Sequence, residues 1–123
     1  MPINVKEFNN EPIRLVEYIG NITPDEANTV AENVLFPDFR KIAPVTMHVI
    51  YDVTELEWDF PDFINYLNSI RMNRQRGLVP PNSRQYVVGH AKFLESYRDW
   101  LYKQFGVQMG AFSDIDSALK FIR

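Results

Sequence analysis

The chain has 123 residues, 46% hydrophobic and 24% charged, with a formal net charge of −3. That length predicts one domain whose single hydrophobic core needs no staples. With no cysteine, disulfides, zinc–thiolate centres and thiol nucleophiles are excluded, and the slightly acidic balance supplies no general attraction to nucleic acid or anionic lipid. The N-terminal MPINVKEFNN lacks the basic-then-apolar order of a signal peptide, and no run reaches bilayer-spanning length. The expectation is a soluble, cytoplasmic domain.

In chain order, residues 3–8 and 12–20 read as two short β-prone runs joined through Asn9, Asn10 and Glu11, a hairpin connection. A helix start follows: Thr23 can cap, Pro24 takes the first helical position, and Asp25 and Glu26 face the positive end of the dipole. Ala27, Val30, Ala31 and Val34 then recur at helical spacing, and Pro37 and Pro44 bracket a connection. TMHVIYDV (46–53) is nearly continuous apolar and β-branched, the pattern of a strand buried on both faces. The next stretch, YDVTELEWDFPDF (51–63), begins as the end of that strand and finishes as the start of a helix. Phe60, Phe63, Ile64, Leu67 and Ile70 form that helix's apolar stripe. Gly77, Pro80 and Pro81 forbid its continuation. RQYVVGH (84–90) reads as a strand, residues 91–105 as a helix and VQMGAF (107–112) as a last short strand. Ser113 is placed to cap a closing helix, with Asp114 and Asp116 in its first turn. The order β-β-α-β-α-β-α-β-α predicts an α/β fold with a single-layer mixed, mostly parallel sheet, an N-terminal β-hairpin and four helices.

Three stretches give this order a likeness. HVIYDVTEL, RQYVVGH and FLESYRDWLYKQFGVQMGAFSDIDSALKFI resemble the central strand, the following strand ending in Gly, and the closing helix–strand–helix of the STAS domain, the fold of sulfate transporters and anti-sigma-factor antagonists. The likeness is to its stand-alone, SpoIIAA-like branch and spans nearly the whole chain. It implies a STAS-like fold and a regulatory or binding role, since such motifs specify a fold better than an activity. In phosphorylatable members a Ser or Thr at the helix start carries a charge switch. Here no hydroxyl lies between Glu55 and Phe63, and Thr54 corresponds to the family's strand-end hydroxyl. The likeness therefore implies a module without the phosphoserine switch, any charge there being the permanent one of Asp59 or Asp62.

The residues offer several candidate sites. Glu55, Glu57 and Asp59 alternate along what reads as an exposed loop and lack the Gly turn of a calcium loop. Asp62 is explained by a helix start, whereas Asp52 falls at the C-terminal end of a parallel strand, where open α/β sheets bind ligands. His48 reads as a satisfied core histidine. His90, after Gly89, shares an edge with Asp52 if their strands are neighbours. Asp52, His90 and Ser113 form a conceivable triad without a nucleophile elbow. Trp58, Trp100 and Tyr102 fall off the core stripes and suit an interface or apolar ligand. The reading is a non-catalytic module recognising a protein partner or apolar small molecule, with no cofactor or metal. The recognition face runs from Asp52 to Phe63 with Gly89 and His90: Asp52 and Thr54 fix the loop, Trp58 and Phe60 anchor a partner or apolar ligand, Asp59 supplies charge, and Arg74 and Arg76 steer an acidic partner. A carrier of a lipid-like molecule and a small enzyme using Asp52 and His90 are the alternatives, and the aromatic surplus makes a homodimer an expectation. No platform for nucleic-acid bases is present.

Overall fold

The structure, a computed structural model, describes residues 3–57, 65–66, 72, 82–90, 99, 103 and 110–123. Strands β1 (Ile3–Glu7) and β2 (Ile13–Gly20) pair antiparallel, from Ile3 opposite Tyr18 to Glu7 opposite Arg14. Asn10 turns the chain between them at a φ of 58°, the left-handed conformation that Asn tolerates well. Strands β3 (Met47–Leu56), β4 (Ser83–Val88) and β5 (Gly110–Phe112) add in parallel, giving the order β1-β2-β3-β4-β5. The hairpin and the mostly parallel sheet are as the sequence predicts.

The crossover from β2 to β3 is one helical run rather than a helix and a loop. It consists of α1 (Pro24–Val30), a π-helical turn (Ala31–Leu35) and α2 (Phe36–Ile42). Thr23 caps it as expected, its Oγ1 accepting the Glu26 N–H at 3.1 Å. Two expectations are corrected here. Pro37 lies in helix, not in a connection, and Leu35 (1% exposed) faces the core where Val34 (41% exposed) was expected. The π turn explains both. The Phe36 N–H bonds to the Ala31 carbonyl, five residues back, so the turn is wider than 3.6 residues. The extra residue falls just before the proline, whose ring would otherwise meet the preceding turn, and it brings Phe36 and Phe39 onto the face that Ala27, Ala31 and Leu35 share.

Helix α3 (Ile115–Ile122) closes the chain. Its N-cap is Asp114 rather than Ser113: the Asp114 carboxylate accepts the Ser117 N–H at 2.7 Å. An ionised acceptor one residue closer to the helix outcompetes the hydroxyl. The described residues thus contain two helical segments where four were expected. The other two fall on stretches of which only Asn65, Tyr66, Met72, Asp99 and Lys103 are described, each of them helical.

Alternation along β3 splits the core into two layers. Met47, Val49, Tyr51 and Val53 pack with Val16, Tyr18, Ala27, Ala31, Leu35, Phe36 and Phe39. Ile50 packs on the other face with Ile13, Leu15, Tyr86, Val88 and Ala118 of α3. A parallel strand covered on both sides must be apolar at nearly every position, which is why residues 46–53 read as they do.

Candidate functional site

The C-terminal edge of the parallel strands is built by β3 outrunning β4. Pairing between them stops at Asp52 opposite Val88, while β3 stays paired to β2 as far as Leu56 opposite Gly20. Along that overhang Glu17 faces Asp52 and Ile19 faces Glu55, so Tyr18 alone stands opposite Val53 and Thr54. This is a β-bulge, rare between parallel strands. It takes the Thr54 N–H out of the ladder, and the Asp52 carboxylate accepts it at 3.0 Å. Asp52 is half-buried, and Thr54 and Glu55 are exposed. After the overhang, the Glu57 N–H bonds to the Gly20 carbonyl at 3.0 Å. Gly20 sits at a φ of 77°, a conformation glycine adopts without strain. The acidic stretch expected to be a loop from Glu55 onward is therefore strand through Leu56.

Strand β4 leaves the sheet at the same level. The Gly89 N–H turns to the Phe112 carbonyl of β5 at 3.2 Å, and His90 follows, exposed. Asp52, Thr54, Gly89 and His90 thus gather at one edge, as their strands' neighbourhood required. Among the described residues no hydrogen bond or ion pair joins Asp52 to His90, and the Asp52 carboxylate accepts a backbone N–H instead. Ser113, exposed after β5, lies on that edge too. Trp58, Asp59, Phe60, Phe63, Arg74 and Arg76 lie outside the described residues, as do Trp100 and Tyr102. Among the described residues no three His, Asp or Glu side chains converge as metal ligands, and no helix is long and apolar enough to cross a membrane.

Behind the edge lies a feature that sequence reasoning missed. Tyr18 and Tyr51 stack at 6.1 Å with rings nearly parallel, and the Tyr18 and Tyr66 hydroxyls are 3.3 Å apart. All three are buried. Burial pushes the Tyr66 phenol up to about 12, and the Tyr18 phenol well above its usual range, with Tyr66 and Tyr51 adding to the effect. The signal was present in register: Tyr18 and Tyr51 occupy core-facing positions of alternating strands. At the opposite end of the sheet, His48 is half-buried and its Nδ1 lies 2.9 Å from the Tyr86 hydroxyl. It is satisfied, as expected, but not fully enclosed. Burial and then the neighbouring Arg84 hold its pKa below the usual histidine value.

No family model matches the chain, and no curated protein matches it. Among solved structures it is similar to an uncharacterized protein of the DUF3478 family with a SpoIIAA-like fold, from Shewanella loihica PV-4. The two chains are 14% identical and superpose with a TM-score of 0.65 over 98% of this chain and 92% of that one. At that identity the likeness concerns the fold.

Proposed function

From a SpoIIAA-like fold, the STAS-like architecture that the sequence resembles, we propose that this chain is a non-catalytic binding module of the cytoplasm that recognises a protein partner at the C-terminal edge of its parallel strands. The observation that carries this reading is the Asp52–Thr54 bulge. There the carboxylate that an acid/base mechanism would need accepts a backbone N–H at 3.0 Å, and among the described residues no hydrogen bond or ion pair joins it to His90. A carboxylate used in this way shapes the edge that a partner would meet. Thr54, Glu55 and Glu57 are exposed beside it, and ligands of open α/β sheets gather outside the carboxyl ends of the strands. Trp58, Phe60 and Phe63 would anchor the partner, Asp59 would provide a fixed negative charge in place of a phosphoserine, and Arg74 and Arg76 would steer the encounter.

The test is affinity capture with the native protein beside Trp58→Ala, Asp59→Lys and His90→Ala variants, preceded by a native mass spectrum. The expected result is a bare polypeptide mass, and one partner lost with Trp58→Ala and Asp59→Lys but kept with His90→Ala. Extra non-covalent mass that Phe63→Ala removes would replace this reading with a carrier of an apolar molecule. A turnover abolished by His90→Ala would replace it with an enzyme.

A further inference from the structure

The end of the sheet away from that edge carries a second cluster. His48 and Arg84 are the second residues of β3 and β4 and stand directly opposite each other, so their side chains share one face of the sheet. Tyr86, two residues along β4, lies on that face about 7 Å from Arg84 along the strand. Its hydroxyl is 2.9 Å from His48 Nδ1. Phe121 of α3 meets the Tyr86 ring edge-on at 6.0 Å and the Phe112 ring at 5.6 Å, yet it is 68% exposed. Arg84 is exposed too, and among the described residues no carboxylate pairs with it.

Each feature alone is ordinary, because scattered exposed apolar side chains are normal. Their combination is chemically specific. An unpaired guanidinium presents a planar fork of donors that matches a carboxylate. With the Tyr86 hydroxyl as donor to Nδ1, the neutral imidazole would carry its proton on Nε2 and add a donor without a second cation opposite Arg84. Phe121, braced by two rings, offers an aromatic surface that another ring can stack on. We propose that His48, Arg84, Tyr86 and Phe121 form a binding site for a small aromatic carboxylate, with the carboxylate on Arg84 and the ring against Phe121. This site is independent of the partner edge, so either can fail without the other.

The test is an NMR titration of the full chain with phenylacetate, reading the His48, Tyr86 and Phe121 ring signals, beside acetate and phenylacetamide as controls. Saturable shifts are expected with phenylacetate at millimolar concentration, and both controls should bind at least about tenfold more weakly. Arg84→Gln and Phe121→Ala should each weaken binding by about tenfold or more, with Arg84→Lys intermediate because it keeps the charge without the fork. Both residues are exposed, and the backbone amide spectrum reports whether each variant keeps its fold. Several outcomes overturn the proposal. These are shifts that do not saturate, acetate binding as well as phenylacetate, unchanged affinity in Arg84→Gln and Arg84→Lys, or ring shifts that follow protein concentration without ligand, which would mean a second copy covers the patch.

Discussion

Asp52 replaces a backbone partner: the bulge takes the Thr54 N–H from the ladder, and the side chain two residues back accepts it. Asp52→Ala leaves that exposed amide to water and should destabilise the fold by about 0.5–1 kcal/mol in urea unfolding, with Asp52→Asn costing less because it keeps an oxygen. The buried tyrosines make a prediction of opposite character, one seen only at high pH. Burial raises the Tyr66 phenol from 10.0 to about 12 in the folded chain, whereas the unfolded chain ionises it near 10. The folded pKa is the higher, so this contribution is complete below pH 10 and is lost as pH rises from 10 through about 12. Stability followed by circular dichroism should fall across that window, and Tyr66→Phe should flatten the fall. An ultraviolet difference titration should show the Tyr18 and Tyr66 phenols ionising only as the chain opens.

Among the elements, the α1–π–α2 run is where the sequence was hardest to read. Periodicity at 3.6 residues groups Ala27, Val30, Ala31 and Val34, but the chain buries Ala27, Ala31, Leu35, Phe36 and Phe39. In a regular α-helix Phe36 would point opposite Ala27, at 100° per residue. Removing one residue from the π turn would place all five on a single stripe. What remained visible in the sequence was the cause, a proline where the helix had to continue. Deleting Val34 alone should therefore convert the turn to α-helix, drive the proline ring into it and cost roughly 3 kcal/mol. Pro37→Ala alone should be mild, and the two changes together should recover most of the loss, a coupling that a double-mutant cycle measures. Equal losses for the deletion with and without the proline would mean that register, not the ring, maintains the π turn. Strand β3 was misread at its end for a related reason. YDVTEL keeps the period of two as far as the bulge, with Tyr51 and Val53 inward and Asp52 on the other face, and the extra residue there returns Leu56 to the layer of Tyr51 and Val53, but its acids resemble a loop. The apolar positions were the better guide, and the slip of one residue between Val53 and Leu56 is the bulge.

At the scale of the molecule, the sheet was legible because β–α alternation admits only right-handed crossovers and short connections place successive strands side by side. The edge was legible for the same reason, since Asp52 and Gly89 end adjacent runs. The chemistry there was not, because a carboxylate that closes a bulge and one that holds a proton look alike in sequence. The long-range contact that closes the fold was equally hidden. Arg123 donates to both Glu11 carboxylate oxygens, at 2.8 and 2.9 Å across 112 residues, and its guanidinium lies 5.8 Å from the Phe8 ring. Helix α3 has eight residues, too few to persist in water unaided, so the packing of Ile115, Ala118, Leu119 and Ile122 on the sheet and this clamp to the hairpin loop must hold it. The hydrogen bonds from Arg123 lower the Glu11 pKa from 4.5. The folded value is the lower, so the clamp is intact above 4.5 and is lost as pH falls below 4.5 and through the folded value. Exposed ion pairs contribute little to global stability and weaken with salt, so the effect should be local. Glu11→Gln should speed amide exchange in α3 and the β1–β2 loop while leaving β2, β3 and β4 unchanged, and acid or high salt should reproduce this in the native chain. If α3 instead exchanges at the rate of β3 in both proteins, the helix opens only with the whole fold, and its apolar packing through Ile115, Ala118, Leu119 and Ile122, not the clamp, is what holds it.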